Sequence, residues 1–198
     1  IALGRRLFHD PLLSADSTIS CSSCHLSYTA FSHVDHSLSH GLHDSIGTRN
    51  APALMNLGWN RSFMWDGAVN HLEVQPLAPI NHPAEMGEST AHVVAKLQRS
   101  AHYRALFREA FGDTVITGER MLKALAQFQV SLISAGSKYD HVKAGDEVFT
   151  AQEATGYRIF QAHCAACHKE PLFTTGDFAN NGLTMDSVLR DAGRIRIT

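Results

Sequence analysis

All four cysteines of this 198-residue chain fall in two Cys-x-x-Cys-His runs, Cys21-Ser22-Ser23-Cys24-His25 and Cys164-Ala165-Ala166-Cys167-His168. On a helical turn, positions i and i+3 share a face, so both thiols of a run can form thioethers to the edge of one porphyrin. The adjacent histidine can then turn its imidazole onto the iron. This is the attachment pattern of c-type haem, written twice. Other uses of cysteine fit less well. Zinc ribbons hold their cysteine pairs within about 15–20 residues of each other. Here the pairs lie most of the chain apart, and each carries its own histidine. Cys-x-x-Cys disulfides are strained and reducible. A thioredoxin-like dithiol belongs near a strand-helix-strand pattern, which the sequence does not display.

The elements that must position these runs read as helices. Leu3–Phe8 has helical character and is stopped at Asp10-Pro11. From Leu26 to Asn50 the chain is rich in Ser, His, Asp and Gly, without apolar period, and reads as one long loop. Ala51–Leu57 and Ala68–Leu77 read as short helices around a Trp65-Asp66-Gly67 turn. Thr90–Arg99 and His102–Phe111 follow, the second ending at Gly112. Met121, Leu122, Leu125, Phe128 and Leu132 have helix spacing within Glu119–Ile133. Gly136–Gly145 reads as a linker, and Thr150-Ala151-Gln152-Glu153 as a capping box that opens a helix into the second run. The expected fold is mainly α, two tandem cytochrome c-like domains over residues 1–135 and 136–198, each with one covalent haem c.

Composition narrows the function classes. A hydrophobic share of 44% suffices for a packed core. A net charge of −2 without a Lys/Arg run gives no reason to expect nucleic acid. No apolar stretch reaches the length of a transmembrane segment. The chain begins at Ile1 without a methionine, so a targeting segment is expected to have been removed or left out. Covalent haem implies assembly beyond the inner membrane, and the periplasm is the expected compartment.

Several blocks together make the chain resemble the bacterial di-haem cytochrome c peroxidase family, including its MauG-type branch. They are Leu3-Gly4-Arg5-Arg6-Leu7-Phe8-His9-Asp10-Pro11-Leu12-Leu13-Ser14, Gly47-Thr48-Arg49-Asn50-Ala51-Pro52, and Phe63-Met64-Trp65-Asp66-Gly67 followed by Gln75, Pro79 and Glu85-Met86. Gly193-Arg194-Ile195-Arg196-Ile197-Thr198 is also family-like, and because family members continue beyond it, the second domain is expected to be incomplete here. The resemblance implies a peroxidatic haem at His25, Glu85 as acid–base, Gln75 as its hydrogen-bond partner and Trp65 as an electron relay between the haems. Trp59, outside these blocks, is expected in the core. The haem at His168 would transfer electrons, with a Met or Tyr as its second axial ligand. Met185 follows His168 too closely to reach round the porphyrin, which points to a ligand downstream of Thr198. Among His33, His36, His40 and His43 in the loop, His40 best matches the histidine that caps the first iron in peroxidases needing reductive activation. The same stretch also fits the MauG-type pattern, where that haem is open. Asn50 resembles the family's contribution to a calcium site.

Three functions are compatible with this pattern. The first is a periplasmic peroxidase reducing hydrogen peroxide to water, with electrons from a small cytochrome c or cupredoxin. The second is a MauG-like oxidase that withdraws electrons from a partner protein. The third is a non-catalytic di-haem electron carrier, against which Glu85 and Gln75 argue, since a relay needs no acid–base group. A homodimer is one arrangement the sequence leaves open.

Overall fold

The computed structural model describes residues 1–197, so Thr198 at the end of the last family-like block lies outside the described residues. Among the described residues, eight α-helices are joined by loops and short 3₁₀ turns. Among the described residues there are three isolated β-bridges and no extended strand. The fold is mainly α, as expected. No helix among the described residues is long and apolar enough to cross a membrane.

The helices form where caps and apolar spacing agree. α1 (Ala2–Phe8) buries Leu3, Leu7 and Phe8. α2 (Cys21–Cys24) is the single turn of the first haem-attachment run, opened by Ser20 with a reciprocal Ser20–Ser23 capping box. α3 spans Leu77–Asn81. α4 (Thr90–Arg99) is capped by the Ser89 hydroxyl, which accepts from His92 N–H. α5 (Ala101–Phe111) is capped by Ser100 and ends at Gly112, whose φ of 88° requires the left-handed conformation that glycine adopts without penalty. α6 (Gly118–Val130) starts at Thr117 and buries Met121, Leu122, Leu125 and Phe128, the positions its periodicity selects. α7 (Lys138–Ala144) and α8 (Ala151–His163) follow, both opened by capping boxes, with that of α8 formed by Thr150 and Glu153.

Residues 1–133 with the segment from Met185 form one compact unit, and Ser134–Thr184 form a second. In the first unit, α1 lies across α6 so closely that a Cβ on Gly4 would overlap the Ala124 carbonyl. The Phe8, Phe31 and Phe128 rings pack beneath the first haem-attachment run, with Phe8 and Phe128 centroids 5.1 Å apart. The second unit is held by α7, α8 and an aromatic group in which Phe173 meets Tyr139 (4.9 Å) and Phe160 (5.4 Å).

Three local expectations are corrected. Ala51–Leu57 is extended and turn-like, with only Leu57–Trp59 forming a 3₁₀ turn, because Ala51 O and Leu54 N–H bond to His33 N–H and Ala30 O of the preceding loop. Ala68–Leu77 is a run of turns that becomes helical only at α3. The stretch read as a linker contains α7, because Ser137 and Asp140 cap each other and Gly145 closes the far end with φ 87°.

Candidate haem-binding and peroxide site

At the first run, a carbonyl determines the state of the histidine. His25 Nδ1 lies 2.8 Å from Phe31 O. A carbonyl only accepts, so Nδ1 carries the proton and the Nε2 lone pair is left free for a metal, the usual second-shell device of ligating histidines. Phe31 and Ala30 have φ of 58° and 56°, a strained conformation for residues with a side chain, and this bend turns the Phe31 carbonyl toward His25. Phe8 packs against the His25 ring at 6.3 Å. Burial pushes the His25 pKa down, outweighing the bonds to the Phe31 and Pro52 carbonyls that raise it. The imidazole is thus kept neutral, as a ligand must be.

The second run repeats the device. His168 Nδ1 lies 3.1 Å from Phe173 O, again leaving Nε2 free. None of the four cysteines is in a disulfide. Burial pushes the Cys21 thiol up to about 12 and also raises Cys24, a setting suited to the neutral sulfur of a thioether. Residue types, spacing and the twice-used tautomer lock all fit haem c at both runs.

Glu85 is brought to the first run by backbone contacts. Leu42 N–H donates to Glu85 O at 3.0 Å, and a Cβ on Gly41 would come within 2.6 Å of the Glu85 Cα, so only glycine lets the two loops approach this closely. Cys24 Sγ in turn donates to His40 O at 3.2 Å. After burial, the Glu85 charge is the next cause that raises the Cys24 pKa, which puts the carboxyl in electrostatic reach of the haem-attachment run. Burial raises the Glu85 pKa, and His82, 3.8 Å away, offsets this only in part.

His40 Nδ1 donates to Asp44 Oδ1 at 2.6 Å, and its ring lies on His36 with centroids 4.2 Å apart. His33 meets His36 through Nε2 at 3.4 Å, and these three histidines line one open cleft of about 460 Å³ with Ser23 of the first run. His43 and Asp44 have positive φ and tighten the turn after His40. Gln75 Nε2 lies 3.4 Å from Met64 Sδ. Trp65 is 57% exposed and its indole N–H donates to Asn50 O at 2.7 Å. Trp59 is 55% exposed, not in the core as expected, because the 3₁₀ turn that carries it buries Leu57 and sets Gly58 beside Val130 of α6, leaving Trp59 on the outer side. Calcium takes six to eight oxygen ligands. Asn50 offers one amide oxygen while its Nδ2 donates to His36 O, so the described residues do not make such a site and calcium enters no step here.

Sequence reading missed a charged cluster. Arg49 pairs through Nε and Nη2 with Asp191 (2.6 and 2.8 Å) and through Nη1 with Asp66 (2.9 Å). The hydrogen bond to Asp191 first, then Asp66, hold the guanidinium pKa above its ordinary value against burial. Arg49 and Asp66 stand in family-like blocks, but nothing local in the sequence singles out Asp191.

Mainly helical folding around two Cys-x-x-Cys-His runs is the make-up of a c-type cytochrome. Within that class, the chain belongs to the di-haem cytochrome c peroxidase family, matched over residues 1–148. It is 37% identical over 193 residues to methylamine utilization protein MauG of Methylorubrum extorquens, covering 92% of this chain and 53% of that protein. It is 35% identical over 206 residues to cytochrome c peroxidase Ccp of Escherichia coli, covering 100% of this chain and 44% of that protein. Among solved structures, a MauG-like protein associated with microbial copper homeostasis superposes with a TM-score of 0.77 at 33% identity, over 92% of this chain and 56% of the other. The di-haem peroxidase BthA of Burkholderia thailandensis gives 0.74 at 26% identity, over 84% and 48%. The chain thus spans about half the length of the curated relatives it matches.

Proposed function

We propose that this chain works in a periplasmic di-haem c-type peroxidase that reduces hydrogen peroxide to water with electrons from a small cytochrome c or cupredoxin. Cys21, Cys24 and His25 would hold a haem at the peroxide site, and Cys164, Cys167 and His168 would hold the haem that serves electron transfer. Bound at these runs, haem supplies an iron that exchanges single electrons. Each peroxide consumes two electrons and two protons and yields two waters, so a group must deliver protons to the departing oxygen. Glu85 is that group. Its carboxyl, raised by burial, keeps a proton closer to neutral pH than an exposed carboxyl does, and can take one from one peroxide oxygen and return it to the other. Gln75, whose Nε2 lies on Met64 Sδ in this structure, is assigned to the same peroxide site, and Trp65 to relay electrons. The placement of Glu85 against Gly41 and Leu42, next to His40 whose carbonyl meets Cys24 Sγ, carries the proposal.

His40 is the loop histidine that would cap the iron of a haem held at the first run. Asp44 occupies its Nδ1, which leaves Nε2 free for that role. The 37% identity to a MauG protein favours a second function, oxidation of a partner protein's side chains. One experiment separates the two. With a reduced cytochrome c or cupredoxin, the haem-loaded protein should consume peroxide and oxidise two donor equivalents per peroxide. Glu85→Gln should keep both haems by mass yet turn over roughly 10²–10⁴ more slowly. Full activity in that variant would remove Glu85 from the chemistry, and peroxide reactivity with no donor oxidation would point to the oxidase.

A further inference from the structure

We propose that Arg49 is the positioning residue for Trp65, and that Asp191 holds Arg49 in place for this task. This rests on the relay role assigned to Trp65 above and adds what fixes the orientation of the indole.

An aromatic side chain that passes electrons must keep one distance and one orientation, and a buried ring obtains both from packing. Trp65 is 57% exposed, so packing constrains it weakly. What holds it is polar. Its Nε1–H donates to Asn50 O at 2.7 Å, while Arg49 Nη1 donates to Asp66 Oδ2 at 2.9 Å. The dipeptides Arg49-Asn50 and Trp65-Asp66 are therefore joined at two adjacent points. One bond would leave the Trp65 loop free to swivel, and the second removes that freedom. Met64, just before, has φ 69°, so the backbone here is already committed to a conformation that few side-chain-bearing residues adopt.

Arg49 can do this because its remaining donors are used. Nε and Nη2 form a fork on the Asp191 carboxylate, and the side chains of Arg49, Asp66 and Asp191 are 21%, 14% and 30% exposed. Arg194 Nη1 donates to the Asp66 carbonyl at 2.5 Å, so the segment from Met185 grips the same turn a second time. A planar guanidinium bridges two carboxylates along two edges, whereas an ammonium group offers one point charge and no fork. Arg49→Lys therefore keeps the charge and loses the geometry.

The test uses the haem-loaded protein, measuring electron equilibration between the haems by transient absorbance after partial reduction. Arg49→Lys and Asp191→Asn should each slow it by roughly 10- to 100-fold, the scale of a misplacement near 1 Å. In a Trp65→Phe background neither should slow it further. Both haems and their reduction potentials should be unchanged. A second readout is independent of the relay: deuterium exchange at Trp65 Nε1, followed by ultraviolet resonance Raman with Trp59→Phe to leave one indole. Exchange should quicken in both variants. Unchanged exchange overturns the positioning role, as does equal slowing with and without Trp65. If exchange quickens but Trp65→Phe equilibrates at the unaltered rate, positioning stands and the relay assignment falls.

Discussion

The smallest decisive features are atoms that leave a neighbour no alternative. At both haem-attachment runs a backbone carbonyl, Phe31 O or Phe173 O, claims the histidine Nδ1–H and so dedicates Nε2 to a metal. At Gly41 the decisive feature is a missing side chain. Alanine there would force its Cβ into Ala84 O and toward Glu85 Cα, and nearby backbone yields less readily than a side chain. Overpacking of this kind costs about 1–3 kcal/mol. The strain falls on the contact that keeps Glu85 beside the first run, so Gly41→Ala should slow peroxide turnover along with its loss of stability. Haem attachment, set by Cys21 and Cys24, should persist. Steady-state assays with pyridine haemochrome counts would check this, and undiminished turnover would show that Glu85 does not depend on the Gly41 contact. At this scale the attachment residues could be read from sequence because their chemistry is local. Phe31, Gly41 and Asp191 could not, because each acts through a partner that only the folded chain brings near.

Among elements, those with strong local signals formed where the sequence indicated. Ser89, Ser100, Thr117 and Thr150 each cap the helix they precede, and α6 buries its apolar stripe. The misread stretches had weaker or competing signals. Ala51–Leu57 has apolar residues but gives backbone groups to the neighbouring loop instead of to itself. α7 hides between two glycines, yet Ser137 followed three residues later by Asp140 was a capping signal available in the sequence. One junction between elements makes a pH prediction. Glu88 is buried where the loop enters α4, with Lys96 Nζ at 2.7 Å and His92 Nδ1 at 2.9 Å, and Lys96 also reaches Ser14 O at 2.6 Å just before the first run. Burial alone would raise the Glu88 pKa, but Lys96, the Ser89 N–H and His92 outweigh it and hold it below the usual value. A carboxyl lowered by folding contributes stability that is present above its unfolded value, about 4.3, and is lost as pH falls through the lowered one. Glu88→Gln should therefore lower stability at neutral pH by about 1.5–3 kcal/mol, the range for hydrogen bonds to charged groups. The difference from the parent protein should shrink in acid. Thermal midpoints from pH 7 downward would show it, and a gap that stays constant would mean Glu88 acts by shape rather than charge.

At the scale of the whole molecule the two units differ in what holds them together. The first buries a core that includes Leu7, Phe8, Leu13, Val93, Leu97, Phe107, Met121 and Leu125. In Ser134–Thr184 no residue is fully buried, and Ile159, Leu172, Phe173 and Phe178 are exposed. The α8 helix buries none of its side chains. Apolar side chains left this open gain stability from whatever covers them, and a covalently held cofactor is one such cover. With Cys164, Cys167 and His168 at the end of α8, haem attached there would supply the missing apolar surface and couple binding to folding. Cys164→Ala combined with Cys167→Ala should accordingly do more than remove one haem mass. Hydrogen exchange across Ala151–His163 should accelerate toward the rate of an open chain, by at least about 10² if roughly 2.7 kcal/mol of stabilisation is lost. Protection in α1 and α6 should stay as it was, since the core they share is built from residues of the first unit. If α8 keeps its protection without the thioethers, the aromatic group of Tyr139, Tyr157, Phe160 and Phe173 is a sufficient core and the haem is a guest in a fold already made.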